Sequence, residues 1–378
     1  PDPRPDYYRN LPSYFFMENS DYNRVNFMKY AWAKEAWTMD IPSITHINWD
    51  RLYAVNTLNT TEAGKRSKYV IEERRTDQQD LNFAANAKWS PLKYFTLTGG
   101  LSYKWNRTEN YKILDDLLGG DYYVNIDQFA ERDYAAYPTM IQNDLDYYLQ
   151  NGKAQTLKKG DKYGYDYYAN VRRAEAWAAG RFTFAGLDAS IAGRIGYTKF
   201  WREGLVRKGL FPGLDANGAP MEFEGAEITT YDPITKEAIT SLGKSDVKDF
   251  LTGGVKLNLS YVIRGGHRVY ADAAYVTDAP RFNQAFVSPR TRNSIVPDLK
   301  TSKTFAADLN YAYSNSGYDV RVTGYYTTIK DQSKVMSFYD DAQNSFTNFA
   351  MSGMDERHVG VELGFKVPLP IPNLALQG

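Results

Sequence analysis

Residues 82–105, NFAANAKWSPLKYFTLTGGLSYKW, read as two alternating strands joined by a tight turn. Side chains in a strand point to opposite faces in turn. Leu81, Phe83, Ala85, Ala87 and Trp89 therefore share one face, and Asn82, Asn86 and Lys88 share the other. After the turn at Ser90 to Tyr94, the apolar face continues through Phe95, Leu97, Gly99, Leu101, Tyr103 and Trp105, against Thr96, Thr98, Ser102 and Lys104. Such a hairpin must rest its apolar face on something, either a protein core or lipid.

The device recurs along the chain. A second hairpin places Ala174, Ala176, Ala178, Gly180, Phe182 and Phe184 on one face, turns at Ala185-Gly186, and returns with Leu187, Ala189, Ile191, Gly193, Ile195 and Tyr197. A third runs from Val255 to Ile263, turns through Arg264-Gly265-Gly266-His267, a pair of glycines that tolerates positive φ, and returns from Val269 to Tyr275. A fourth runs from Phe305 to Tyr313, turns at Asn315-Ser316-Gly317 and returns from Val320 to Tyr326. The fifth carries Val359, Val361, Leu363 and Phe365, then the turn PLPIPN and LALQG.

Composition narrows what that face can touch. The chain has 378 residues, 15% aromatic, with 31 tyrosines and 24% charged residues, and its mean hydropathy is −0.54. No run approaches the roughly 18 to 20 apolar residues of a spanning helix, whereas membrane strands need only alternate apolar residues. Lysine plus arginine equal aspartate plus glutamate at 45 each, which gives no reason to expect nucleic acid as a partner. With no cysteine, disulfides, thiolate metal sites and cysteine nucleophiles are out of the question.

Two features favour lipid. None of the apolar-face positions is charged, although a charge at a bilayer midplane costs about 2 to 4 kcal/mol. Each hairpin closes tightly at one end, while the links between hairpins are long, among them residues 114–160, 209–245 and 280–299. A soluble sandwich has short connections at both ends. Small outward residues also suit lipid better than a core that must be filled, and Trp89, Tyr103, Trp105, Tyr197 and Tyr275 lie toward strand ends, where an interfacial girdle sits. The expected fold is all-β: an antiparallel transmembrane β-barrel with long extracellular loops, whose polar faces, with Lys88, Asp188, Arg194, Lys256, Asn258, Asp272, Asp308 and Glu362, line a wet lumen.

The segments VPDLKTSKTFAADLNYAYSNSGYDVRVTGYYTTIKDQ and FTNFAMSGMDERHVGVELGFKV resemble the barrel of TonB-dependent outer-membrane transporters. In that family a P-x-L-K segment enters a strand, a Tyr-rich strand returns to an I-K-D-Q-like stretch, and a G-V-E-L strand follows. PDPRPDYYRNLPSYF and INWDRLYAVN look like loops of Bacteroidetes-type members; Thr301 and Ser302 stand where many members carry Pro-Glu. The resemblance implies a location in the bacterial outer membrane and residues 1–378 as one barrel segment, roughly ten of about 22 strands, with plug and C-terminal strands absent. It further implies active import of a large nutrient, whether glycan, peptide or metal chelate, with outer-membrane lipid, the TonB complex acting through the plug, and a surface lipoprotein lid as partners. A non-energised binding or adhesion protein on the same scaffold is the alternative.

No catalytic motif stands out, and neither an enzyme, a metal site nor a cofactor is expected. His46, His267 and His358 have no companion at ligand spacing, and GLDANGAP at 213–220 reads as a turn rather than a calcium loop. DQSKVMSFYDDAQNSF reads as a polar loop, with Asp340-Asp341 as solvated charges. The remaining lead is aromatic: Trp32, Trp37, Trp49, Tyr53, Tyr122, Tyr123, Tyr134 and Tyr137 crowd segments read as loops. Rigid rings with polar tips suit stacking on sugars or gripping peptides and chelates, and these eight are the candidate substrate contacts.

Overall fold

A computed structural model describes residues 3–17, 24–233, 235–340, 345–371 and 374–378. Four helices come first: α1 (Pro12–Met17), α2 (Arg24–Thr38), α3 (Pro42–Thr45) and α4 (Trp49–Leu58). The N-terminal segments expected to be loops are thus largely helical. The Asn48 side chain caps α4 by accepting from the Arg51 amide at 2.9 Å. No helix is long and apolar enough to cross a membrane among the described residues.

The strands that follow are β1 (Ile71–Leu92), β2 (Phe95–Asp116), β3 (Lys162–Phe184), β4 (Leu187–Gly204), β5 (Lys248–Ile263), β6 (His267–Asp278), β7 (Ser302–Asn315), β8 (Tyr318–Asp340), β9 (Ser345–Pro368) and β10 (Ala375–Gln377). They form one antiparallel sheet in sequence order, and a two-residue strand, Gly243–Lys244, adds to β4. The all-β antiparallel expectation is met. The turn glycines Gly265 and Gly266 take φ of 84° and 86°.

Register carries the face pattern across the sheet. Gly180, Ile191, Leu257, Ala273, Ala307, Tyr326 and Val359 lie opposite one another in a single row over seven strands. The neighbouring row on the other face reads Arg181, Ser190, Asn258, Asp272, Asp308, Tyr325 and Gly360. The apolar face is open: Leu257 is 49% exposed, Leu309 61% and Val361 77%. No second layer covers it among the described residues, and an exposed apolar surface of this extent is foreign to a soluble sandwich. About 11 residues at about 3.3 Å each, tilted by about 45°, span about 25 Å, the height of an outer-membrane apolar band.

The segment 331–346 is a correction. Its described residues, 331–340 and 345–346, extend strands β8 and β9, with Met336 opposite Phe349 and Asp340 opposite Ser345, past a register shift between Ile329 and Lys334 at which Asp331 has φ of 58°. Asp341 lies outside the described residues.

The chain forms two compact units: residues 1–73, 112–125 and 154–163, and residues 74–111, 126–153 and 164–378. The first is centred on Leu114, Tyr123, Leu157 and Tyr163. There, buried Asn56 donates to the Tyr69 and Leu117 carbonyls at 2.7 and 2.9 Å and accepts from the Lys68 amide at 2.8 Å, and Glu72 accepts from Lys112 Nζ at 2.8 Å and from the Tyr163 hydroxyl. The second unit holds most of the sheet and α5 (Gln128–Asp133), α6 (Leu145–Asn151) and α7 (Phe282–Ala285).

Candidate functional site

The polar face of the sheet in the second unit is built as a hydrogen-bonded wall. Asn258 Nδ2 donates to Asp272 at 2.8 Å, Arg268 Nε to Ser260 Oγ at 2.7 Å and Thr323 Oγ1 to Asn310 at 2.6 Å. Arg194 bonds Asp278 at 2.6 Å and lies 3.4 Å from Glu175, which also accepts from Arg173 at 2.7 Å. Pairs of this kind, within and across strands, partner most of these polar groups without filling the space in front of them.

Toward the long-link end the character of this face changes. Phe200 and Phe250 stand on it, by the same alternation that turns Ile191 and Leu257 the other way. Phe200 is fully buried by Phe282 and Phe286, with ring centroids 6.2 and 6.3 Å away, and Ile295 and Leu299 close the cluster. The link 279–301 thus folds back over the polar face instead of projecting away. Its helix α7 also packs near β8, four strands from β4 and about 19 Å away if the sheet were flat. The sheet therefore curls around the link, with its polar face concave.

Beneath this strap lies a pocket of about 330 Å³. Gln78, Lys104, Asn106, Arg173, Thr198, Thr252, Asp278 and Arg281 supply its polar side chains, and Phe200 and Phe282 its aromatic side. Lys104 lies 3.5 Å from Asp80, and Asn106 Nδ2 donates to Asp80 at 2.9 Å. A concave site with convergent donors beside an aromatic wall is suited to orienting a polar ligand.

Arg202, one turn of the alternation beyond Phe200, is 2% exposed and ties the links together. Its guanidinium donates to the Pro289 carbonyl at 2.6 Å, the Ser241 carbonyl at 2.7 Å and Asn293 Oδ1, and lies 5.0 Å from the Tyr167 ring centroid. Lys208 Nζ donates to Asn143 at 2.7 Å, and Arg207 Nε to Asp146 at 2.9 Å. Arg202, Arg207 and Lys208 thereby tie together parts of the links at 143–146, 212–241 and 289–293. Gly204 has no room for a side chain, since a Cβ would overlap the Ser241 carbonyl.

Burial draws the Arg202 pKa down to about 10, so the group stays protonated at neutral pH. Burial pushes the Tyr167 hydroxyl up to about 12. Because the folded chain holds the Tyr167 proton more tightly than the unfolded chain, this phenol stabilises the fold fully below pH about 10 and loses that contribution as pH rises through about 12. In an ultraviolet titration we expect Tyr167 to ionise after the exposed tyrosines, and Tyr167→Phe to reduce the amplitude of the late step by one phenol. A late step unchanged in Tyr167→Phe would assign it elsewhere.

The eight aromatic candidates divide between the two units. Trp32 is exposed on α2, Trp49 and Tyr53 are exposed one turn apart on α4, and Trp37 is half-buried with no acceptor for its Nε1 among the described residues. Tyr122 bonds Thr61 Oγ1 at 2.7 Å, and Tyr123 is in the core, 5.6 Å from the Tyr163 ring. These six belong to the first unit, whereas Tyr134 and Tyr137, exposed between α5 and α6, belong to the second. Among the described residues no cluster of metal-ligating side chains occurs, and His267 Nδ1 pairs with the Tyr311 hydroxyl at 2.6 Å. Phe200, Arg202 and the strap went unread in the sequence; their one signal is that the face of Asp188 and Arg194 continues through them.

No family model and no curated protein matches the chain. Among solved structures it is similar to the copper transporter OprC, at 12% identity and a TM-score of 0.49, over 79% of this chain and 36% of that one. It is also similar to the ferric-catecholate import receptor Fiu of E. coli K12, at 10% identity and a TM-score of 0.43, over 79% and 36% of the two chains. A third is the FrpB iron transporter of Neisseria meningitidis, at 12% and 0.40, over 78% and 34%. The chain spans about a third of the length of these structures.

Proposed function

We propose that this chain forms part of the wall and the extracellular vestibule of a TonB-dependent outer-membrane transporter that imports a large nutrient, whether glycan, peptide or metal chelate. The observation that carries the reading is the open, uncharged apolar band running across the sheet while the link 279–301 folds inward over the opposite, polar face. Lipid takes the first face; cargo passes along the second. In this reading the edges at β1 and β10 are paired in the membrane, because unpaired strand edges are not tolerated in a bilayer.

In this reading the pocket under the strap and the exposed rings Trp32, Trp49, Tyr53, Tyr134 and Tyr137 meet cargo, while energised release belongs to a plug that contacts TonB. The motif resemblance favours a Bacteroidetes-type member, and a lipoprotein lid would be a partner in one branch only. The test uses the full-length protein. It should fractionate with outer membranes, migrate faster on gels unheated than boiled, and bind the periplasmic domain of TonB in detergent. Heat-modifiable migration without TonB binding would favour the non-energised adhesion protein, and recovery as a detergent-free monomer would end both readings.

A further inference from the structure

Where the apolar band gives way to the long links, the outward face of the sheet becomes cationic. Along β2 Trp105 is followed by Arg107, along β3 Ala174 is preceded by Arg172, and along β4 Tyr197 is followed by Lys199 and Trp201. The Arg172 guanidinium lies between two indoles, 4.7 Å from the Trp105 ring and 5.2 Å from the Trp201 ring. Lys244 Nζ is 5.0 Å from the Trp201 ring, and the Arg107 guanidinium is 3.7 Å from that of Tyr168. Aromatic faces hold cations in place without neutralising them.

The acids nearby do not balance this charge. Glu203 is 3.6 Å from Arg107, and Asp249, opposite Lys199, accepts from the Tyr197 hydroxyl at 3.0 Å. Among the described residues Arg172, Lys199 and Lys244 have no carboxylate within ion-pair distance. Arg172 and Lys199 nevertheless lie directly opposite each other on paired strands, where like charges repel and destabilise the sheet. An anion between them would convert that cost into attraction.

Below this rim the same outward face is hollowed. A groove of about 1030 Å³ runs where Ala176, Ala178 and Gly193 leave the sheet low between Leu101, Ile195 and Tyr275. Its lining is almost wholly apolar. Cations above, indoles at the junction and an apolar groove beneath reproduce, in order, the parts of a charged lipid.

We infer that this patch binds a lipid with a phosphorylated headgroup, its phosphate on Arg172 and Lys199 and an acyl chain in the groove. The inference rests on the membrane reading above. It assigns the long-link edge of the sheet to a leaflet rich in anionic lipid, and it makes lipid a specific ligand of the wall as well as its solvent.

The full-length protein in mild detergent is titrated with dioleoyl phosphatidic acid, dioleoylglycerol or inorganic phosphate and followed by native mass spectrometry. Phosphatidic acid should bind at least about tenfold tighter than dioleoylglycerol. The double variant Arg172→Gln, Lys199→Gln should lose about 25-fold, each cation contributing about fivefold. Lys199→Gln alone, which removes a side chain without an ion-pair partner, should lose about fivefold and keep the fold. Equal binding of the two lipids, or an unchanged affinity in both variants, overturns the inference. Phosphate bound as tightly as phosphatidic acid would mark an anion site without a lipid, which overturns it as well. If the wild type is heat-modifiable yet shows no lipid preference, only this inference fails; if it is not heat-modifiable, the membrane reading fails with it.

Discussion

Leu257→Arg in the full-length protein should block insertion or leave a barrel weakened by about 2 to 4 kcal/mol, the cost of an arginine facing the bilayer midplane. Leu257 is the middle member of the outward series on β5, opposite Ile191 on one neighbour and Ala273 on the other. Too far from both ends of the band to reach water easily, an arginine there must drag water or headgroups inward. Lys256→Ala is the internal control. Lys256 lies one residue away on the concave face, opposite Ala192 and Ala274, and its removal should change stability by no more than about 0.5 kcal/mol. Urea unfolding in lipid vesicles and heat-modifiable migration read both variants. Normal assembly of Leu257→Arg together with failure of Lys256→Ala would reverse the facing of the whole sheet, because register ties every strand to this one.

The same contrast between faces explains what was legible in the sequence. From Leu81 to Trp105 one face meets apolar surroundings and the other water, so residues alternate and both strands and turn can be read. Beyond the band the strands go on, as in NRTENYKILDD at the end of β2 and KVMSFYD at the end of β8, but both faces there meet water or loops. Selection for alternation lapses, and a strand reads as a polar loop. That is why residues 331–340 read as a loop in the sequence although they continue β8.

The helices were missed for a different reason. Over RVNFMKYAWAKEAWT in α2 the apolar residues fall on all sides, giving no clear helical stripe, and abundant tyrosine and tryptophan suggested loops. The strap over Phe200 was beyond reach because its partners Phe282 and Phe286 lie some eighty residues further along the chain, and nothing local announces a contact of that span. Candidate cargo contacts chosen by aromatic density therefore scattered over two units, while the pocket that the fold assembles is made of residues unremarkable in sequence.

Arg202→Leu is expected to free the long links while leaving the sheet intact. The guanidinium is buried without a carboxylate partner among its bonds, donating instead to the Ser241 and Pro289 carbonyls and to Asn293 Oδ1. Leucine fills part of the volume but leaves all three acceptors without their donor, at about 1 to 3 kcal/mol for each that water cannot reach. Release from burying a charge offsets part of that loss, so a net local cost of about 3 kcal/mol is reasonable. The sheet hydrogen bonds do not pass through these groups, so the loss should appear as local opening, with amides of 239–245 and 285–296 exchanging about a hundredfold faster while those of β5 and β6 are unchanged. Arg202→Lys should behave almost as badly, because a single ammonium on a flexible stem cannot reproduce a planar fork aimed at three acceptors on two different links. Faster exchange across the whole sheet would instead make Arg202 a determinant of global folding, and unaltered exchange would show that the links are held by the Phe200 cluster alone. If the links open as expected, the pocket beneath them loses its roof, and on the proposed import reading cargo binding by the full-length protein should weaken in proportion to the fraction of molecules in which the strap is released.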